Sequence, residues 1–351
     1  MKKICVIDRT NIKLHPPVLS LLNTLEHYKV TIISSEYEGA IVRRYPNYDF
    51  IGLSEPLSKN RLIRNLQFRR RCRRVLQNDF DLIWIATGDT AIWLKDLLQK
   101  KTYVLNIFEL YDKHPSYLKR LKSIALGAKK VVVPEYNRAH IFRTWFHLPE
   151  TPVVIPNKYS DEELPRRMSL EGIDCRIPLD SKIILYQGIA SKERNLNELC
   201  EAVRQLKGFT LVMMCSKSDY LDELMRKYDF IVHQPFVTPP NHLAITSYAH
   251  IGVVTYEHYS LNTIFCAPNK IWEYASIGLP MLANSIPGLQ NTVEKFHAGI
   301  CVDMCSTQDI IKGIQDITDK YDEYTRGAKV LFNSVIIRNE YKSLIFSLLN
   351  E

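Results

Sequence analysis

Two stretches in the second half of the chain carry the residues best suited to holding a charged ligand. The first is Asn262-Thr-Ile-Phe265-Cys-Ala-Pro268-Asn269-Lys270-Ile-Trp-Glu273-Tyr-Ala-Ser-Ile-Gly278-Leu-Pro280-Met-Leu-Ala283. Pro268 suits the first turn of a helix, where a missing N–H costs nothing, and Asn269 is placed to cap that turn. Gly278 suits the position just past the helix, and Pro280 prevents its continuation. Residues 281–283 then read as a buried strand. A helix start of this kind presents unpaired N–H groups and a partial positive charge, so it can take an anion. Glu273 falls inside the short helix, close enough to its start to face the same crevice. The second stretch follows an apolar strand at 182–187 that ends in Gln187-Gly188. The loop 189–194 after it carries Lys192 and Arg194, and an arginine can grip phosphate oxygens with two parallel hydrogen bonds. Asn195 with Glu198 three residues later reads as a capping box, heading a helix whose Leu196, Leu199, Cys200, Val203 and Leu206 fall at helical spacing.

The first half offers carboxylates at strand ends. Apolar strands at 81–86 and 103–108 run into Gly88-Asp89 and into Glu109 and Asp112. In open α/β sheets ligands gather outside the carboxyl ends of the strands, so these residues border the expected crevice. Asp112 also fits a cap for the next helix. His15, in the loop after the first strand, reads as a structural or surface histidine. Residues 59–74 are the most basic run, with Lys59, Arg61, Arg64, Arg69, Arg70, Arg71, Arg73 and Arg74 interleaved by Leu62, Ile63, Leu66, Phe68 and Cys72. Charges scattered around a helical wheel do not make a deeply inserting amphipathic helix. The run reads either as a solvated face or as a contact for anionic lipid headgroups or a diphosphate-bearing acceptor. No aromatic stacking platform accompanies it, so a nucleic-acid partner is not expected.

Short apolar strands alternate with helical stretches through the whole chain, which argues for α/β architecture with parallel sheets and right-handed crossovers. A length of 351 residues calls for two domains. Their expected limits are 1–157, a linker at 158–181 marked by Pro165 and Pro178, a second domain at 182–330, and a C-terminal helix at 331–351 that packs back on the first domain. The 8 cysteines are scattered, with no Cys-x-x-Cys pair and no accompanying histidines, so no zinc site is expected. Free buried thiols fit a reducing compartment. Lys2-Lys3 precede only four apolar residues before Asp8, which does not read as a secretion signal. A net charge of +8 favours an anionic partner.

The run Ala267-Pro268-Asn269-Lys270-Ile-Trp-Glu273-Tyr274, followed by Gly278-Leu-Pro280, resembles the donor-binding segment of GT-B glycosyltransferases. The family is the large retaining one of the glycogen-synthase and mannosyltransferase type, glycosyl transferases group 1. The resemblance implies two doubly wound Rossmann-like domains facing a central cleft. It also implies transfer of a sugar from a nucleotide diphosphate sugar to a hydroxyl, with retention at the anomeric carbon, in polysaccharide or glycolipid assembly. It gives Glu273 the ribose hydroxyls, and Arg194, with Lys192 in reserve, the donor diphosphate. Gly188, Tyr256, Asn262, Asn269 and Lys270 fall in the same donor region, and Phe236-Val237 lie where such enzymes hold the base. Arg194, Lys270 and the helix start would steady the leaving diphosphate, and Glu109 would be the acceptor-side carboxylate. No residue is singled out as a base, because the leaving phosphate can itself take the acceptor proton. Two departures stand out. Phe265 replaces a glutamate that usually touches the sugar, and the first loop has no glycine, so Thr10, Asn11 and His15 must do its work beside Asp89. The resemblance requires neither metal nor cofactor. It implies a nucleotide sugar as partner; the charge density of the basic run adds the expectation of a lipid-linked saccharide acceptor at an anionic membrane surface, on the cytoplasmic side. The rival readings are a sugar-nucleotide epimerase and a catalytically silent nucleotide-sugar-binding protein.

Overall fold

The computed structural model describes residues 1–12, 15–37, 39–53 and 57–350. The chain divides into two compact units, Met1–Ser160 with Ile336–Glu351, and Asp161–Val335. The first contains β1 (Lys3–Asn11), α1 (Pro16–Leu22), β2 (Lys29–Glu36), α2 (Gly39–Arg44), β3 (Asp49–Ile51), α3 (Arg61–Val75) and β4 (Leu82–Ile85). It continues with α4 (Gly88–Leu94), β5 (Tyr103–Asn106), α5 (Pro115–Gly127), β6 (Lys130–Val133), α6 (Tyr136–Phe146) and β7 (Val153–Val154). All seven strands are parallel, in the order β3-β2-β1-β4-β5-β6-β7. Ile4, Cys5, Val6 and Ile7 are all buried, as are all four residues of β4, because helices cover both faces of a parallel sheet.

The second unit contains β8 (Lys182–Gln187), α7 (Asn197–Gln205), β9 (Phe209–Cys215), α8 (Asp219–Lys227), β10 (Val232–Pro235), α9 (His242–Thr246) and β11 (Ile251–Val254). Then come α10 (Leu261–Ile264), α11 (Asn269–Ser276), β12 (Met281–Asn284), α12 (Pro287–Leu289), β13 (Gly299–Val302), α13 (Thr307–Asp319) and α14 (Tyr321–Asn333). Its six parallel strands run β10-β9-β8-β11-β12-β13. Residues 164–176 are tied to this unit. Leu164 N donates to Ser276 O at 2.8 Å, Arg167 N to Ser247 O at 3.2 Å, and Arg176 N to Gln234 Oε1 at 2.8 Å. The chain then re-enters the first unit as α15 (Ile337–Asn350), where the Tyr341 hydroxyl donates to Pro17 O at 3.0 Å and its ring meets Trp84 edge-on.

In each sheet the winding reverses direction once, between β1 and β4 and between β8 and β11. The diverging connections leave a crevice at the carboxyl end of such a switch point, and that is where open α/β sheets bind ligands.

Three expected caps are corrected. Asn195 does not head α7; it sits in the left-handed region at φ 41 after a short 3-10 turn, Lys192–Arg194, and Leu196 precedes the helix without a side-chain cap. Glu198 instead accepts from the Thr307 hydroxyl. Asn269 is the first residue inside α11 rather than its cap, because Pro268 is extended at φ -74, ψ 141 and takes the capping position. Asp112 does not cap α5, which His114 and Pro115 begin with no side-chain bond.

Candidate functional site

The second unit gathers its charges at the β8–β11 switch. After the exposed Lys182, β8 is apolar and buried until it ends at Gln187, itself buried with its amide bonded at both ends, to Glu273 and Thr246. Gly188 follows at φ +132, and a Cβ there would lie 3.2 Å from Lys270 Nζ. That lysine stands on the first turn of α11 and donates to Gln187 O at 2.8 Å. Its ammonium lies 5.0 Å from the Tyr186 ring centre and 5.8 Å from that of Tyr256, the residue that follows β11 by two positions. The Arg194 guanidinium sits over the other ring neighbour of this set, 4.1 Å from the centre of Tyr256. Tyr256 is fixed by its N–H, which donates to the buried Asn284 Oδ1 at 2.7 Å. Two cations thus converge on one tyrosine, and among the described residues neither makes an ion pair. Burial, followed by repulsion from Arg194, pushes Lys270 down to about 8, against a smaller pull upward from Glu273. A buried lysine whose charge is opposed by a neighbouring cation is a place where an anion is stabilised.

Glu273 lies one turn further along α11 and faces Gln187. Its Oε2 accepts from Gln187 Nε2 at 2.6 Å and lies 3.3 Å from His242 Nε2. Gln187 is oriented in turn by Thr246, whose hydroxyl donates to Gln187 Oε1 at 2.8 Å. Among the described residues the other Glu273 oxygen, Oε1, accepts no hydrogen bond. The helix that aims these groups is stopped by geometry that Gly278 permits. At φ +65 its N–H donates to Ala275 O, and Leu279 N reaches back to Tyr274 O at 2.9 Å. This is the paired closure that a left-handed residue allows after a helix.

The structure brings together Gly188, Arg194, Tyr256, Lys270 and Glu273 from the sequence expectations. Lys192 turns away to Glu223 at 3.3 Å and is largely exposed. Asn262 stands on α10, capped by Ser260, and Phe265 ends that helix. Phe236 is 55% exposed. Sequence reasoning missed Gln187 as a side chain, and with it Tyr186, His242, Thr246 and Asn284. The one usable signal was a polar residue closing an otherwise apolar strand.

In the first unit, Thr10 donates its N–H and hydroxyl to the buried Asp8 Oδ1 at 3.0 and 2.9 Å. Asn11 closes β1 opposite Glu36. Asp89 begins α4, accepts from the Tyr117 hydroxyl at 2.9 Å and lies 3.8 Å from Arg9 Nη2. Glu109 is exposed, with the buried Arg138 3.7 Å away. His15 is partly buried, as the structural reading has it: its Nδ1 lies 2.5 Å from Asp8 Oδ2. Among the described residues no cluster of three His, Cys, Asp or Glu side chains could hold a metal.

No protein-family model matches the chain, and no curated protein matches it. Solved structures do. Sucrose-phosphate synthase from Thermosynechococcus elongatus superposes with a TM-score of 0.76 at 16% identity, over 100% of both chains. Anabaena HepE in complex with UDP and glucose gives 0.77 at 12%, over 99% of both chains. UDP-GlcNAc 2-epimerase from Neisseria meningitidis bound to UDP-GlcNAc gives 0.67 at 14%, over 100% of both. Identities this low establish the fold. It is the GT-B fold, built of two Rossmann-like parallel-sheet α/β units.

Proposed function

We propose that the chain is a glycosyltransferase that moves a sugar from a nucleotide diphosphate sugar to a hydroxyl acceptor. The observation that carries this reading is the unneutralised pair of Arg194 and Lys270 around Tyr256, at the switch point of the second unit. A diphosphate supplies the missing negative charge, and its charge grows as the bond to the sugar breaks. Contacts that strengthen with that growth raise turnover. In this reading Glu273, one turn from Lys270 on α11, accepts from the ribose hydroxyls, and Gly188 and the start of α11 lie against the phosphates. Binding of UDP and UDP-glucose by HepE, and the fold of sucrose-phosphate synthase, support a nucleotide-sugar donor. The likeness of 267–280 to the retaining family supports a hexosyl transfer with retention, without a metal.

The acceptor we propose is a saccharide carried on a lipid diphosphate, met at an anionic membrane surface in polysaccharide or glycolipid assembly. No helix among the described residues is long and apolar enough to cross a membrane. The support is the outer face of α3, where exposed Leu62, Ile63 and Leu66 lead into exposed Arg70, Arg73 and Arg74.

The test is a thermal-shift screen of nucleotide sugars, followed by turnover of the best donor with and without acceptor. A ligand at 100 times its dissociation constant adds about 2.7 kcal/mol to stability. Stabilisation by a nucleotide sugar with acceptor-dependent release of the nucleotide supports transfer. Release of a free epimerised sugar without acceptor would move the chain to the epimerase class that also shares its fold, and no stabilisation by any nucleotide would refute the donor site.

A further inference from the structure

We propose that Gln187 is the positioning residue that registers the Glu273 carboxylate, for the ribose, against the Lys270 ammonium, for the diphosphate, and so makes the site prefer a ribonucleotide. The inference rests on the glycosyltransferase reading above and deepens it at the donor site, within the second unit alone.

Gln187 ends β8 and is 6% exposed. It holds both charged groups of α11 at once. Its main-chain oxygen accepts from Lys270 Nζ at 2.8 Å, and its Nε2 donates to Glu273 Oε2 at 2.6 Å. Lys270 and Glu273 stand one turn apart on the same helix face, so a single residue fixes the spacing between the two charges. A side-chain amide can be set in two orientations, a half-turn apart, and Thr246 selects one. The single proton of its hydroxyl has Gln187 Oε1 at 2.8 Å and His242 O at 3.0 Å within reach, and the shorter contact is to the amide. With Oε1 held there, Nε2 must face Glu273; the reverse orientation would set two oxygens 2.6 Å apart.

His242, at the start of α9, completes the clamp. Its Nε2 lies 3.3 Å from Glu273 Oε2, while its Nδ1 is buried and has no hydrogen-bond partner among the described residues. A neutral imidazole carries one N–H, and here the hydrogen belongs on Nε2, against the carboxylate. Two donors therefore meet on Oε2, whereas among the described residues none meets Oε1. The Glu273 side chain keeps 17% of its surface exposed. A carboxylate locked through one oxygen holds the other in place, so no freedom is lost when ligand hydroxyls arrive. A buried amide costs stability unless its ends are bonded, and Gln187 spends its bonds on α11 and α9 rather than on its own sheet.

The experiment measures dissociation constants by isothermal titration for UDP, 2′,3′-dideoxy-UDP and inorganic pyrophosphate, on wild type, Gln187→Met, Thr246→Val and Glu273→Ala. Methionine keeps the glutamine's length without its amide, and valine keeps the threonine's shape without its hydroxyl. Wild type should bind UDP about 10- to 100-fold tighter than the dideoxy analogue, as hydrogen bonds to a charged group would give. In Gln187→Met that ratio should fall at least about fivefold, the scale of one hydrogen bond, and Thr246→Val should lower it too. Pyrophosphate affinity should stay at the wild-type value in both, because the main-chain oxygen that holds Lys270 remains. Adding Gln187→Met to Glu273→Ala should cost nothing more, since both act through one carboxylate. An unchanged ratio in Gln187→Met, or an equal loss for UDP, the dideoxy analogue and pyrophosphate, would overturn the proposal and leave Gln187 as packing at a strand end. Should Gln187→Met not fold, the ratio in Thr246→Val decides alone. A wild type that binds UDP and the dideoxy analogue equally overturns this inference and leaves the diphosphate reading standing. One that binds neither UDP nor pyrophosphate fails that reading, and the inference falls with it.

Discussion

Glu273 has one oxygen committed and one open. Gln187 and His242 lie against Oε2, and among the described residues Oε1 accepts no hydrogen bond. A carboxylate fixed this way offers a ribose a charged acceptor that needs no reorganisation. A hydrogen bond to a charged group contributes about 1.5–3 kcal/mol, so Glu273→Ala should weaken UDP binding by about 10- to 100-fold. Isothermal titration on the folded variant measures this, and unchanged affinity would remove Glu273 from the nucleotide site. The same residue shows how far sequence reasoning reached. Glu273, Lys270 and Arg194 were legible because they stand in local patterns that a chain can advertise. Gln187 was not, because its value comes from a partner 86 residues away.

At the scale of elements, α11 and α3 make opposite use of their ends and faces. The closure of α11 depends on a left-handed backbone at Gly278, where a Cβ would also approach Lys329 Cε at 3.1 Å. A left-handed residue with a side chain costs about 1–2 kcal/mol, so Gly278→Ala should lower unfolding stability by about that amount in urea titrations at unchanged m-value. A loss below about 0.5 kcal/mol would show that the helix end relaxes around the methyl group. In α3 the charges are less available than the basic run suggests. Arg69 pairs with Asp96 at 2.5 Å, Arg64 lies 3.4 Å from Glu36, and Arg71 is buried. Arg70, Arg73 and Arg74 remain exposed beside the exposed Leu62 and Leu66. Each arginine near an anionic membrane contributes about 1 kcal/mol. Replacing those three with glutamine should therefore release the protein from anionic vesicles and leave neutral-vesicle binding and UDP affinity unchanged. Flotation at about 0.1 M and about 1 M salt checks it, since the screening length falls from about 10 Å to about 3 Å. Equal binding by wild type and variant would make this face an ordinary solvated surface.

Across the whole molecule, His15 at the switch point of the first unit and Lys270 at that of the second respond to pH with opposite sign. His15 is raised in the folded state, so its contribution is full below 6.5 and is lost as pH rises through the higher folded value. Lys270 is lowered to about 8 from 10.5, so the folded state bears the cost of charging it below 8 and is relieved as pH climbs toward 10.5. The melting temperature of wild type relative to His15→Gln should therefore fall as pH rises past 6.5. Relative to Lys270→Met it should rise between about 8 and 10.5. Scanning calorimetry of the three proteins across that range decides both, and parallel pH curves for any pair would show the group to be unperturbed.

The sequence alone determined the alternation of apolar strands and helices, the parallel character of both sheets and the helix start at Pro268, because periodicity, proline and glycine act within a few residues. It did not determine the caps at Asn195, Asn269 and Asp112. A capping residue is chosen by which backbone turn closes first, and a left-handed Asn195 and an extended Pro268 closed those turns. It also left His15 as an ordinary histidine. Asp8 and His15 are close in the chain, but only the burial of β1 between its neighbours strips the carboxylate of water and makes the imidazole its necessary partner. The tertiary structure decided which side chains share a strand end, and with that which charges meet in a place where water cannot neutralise them.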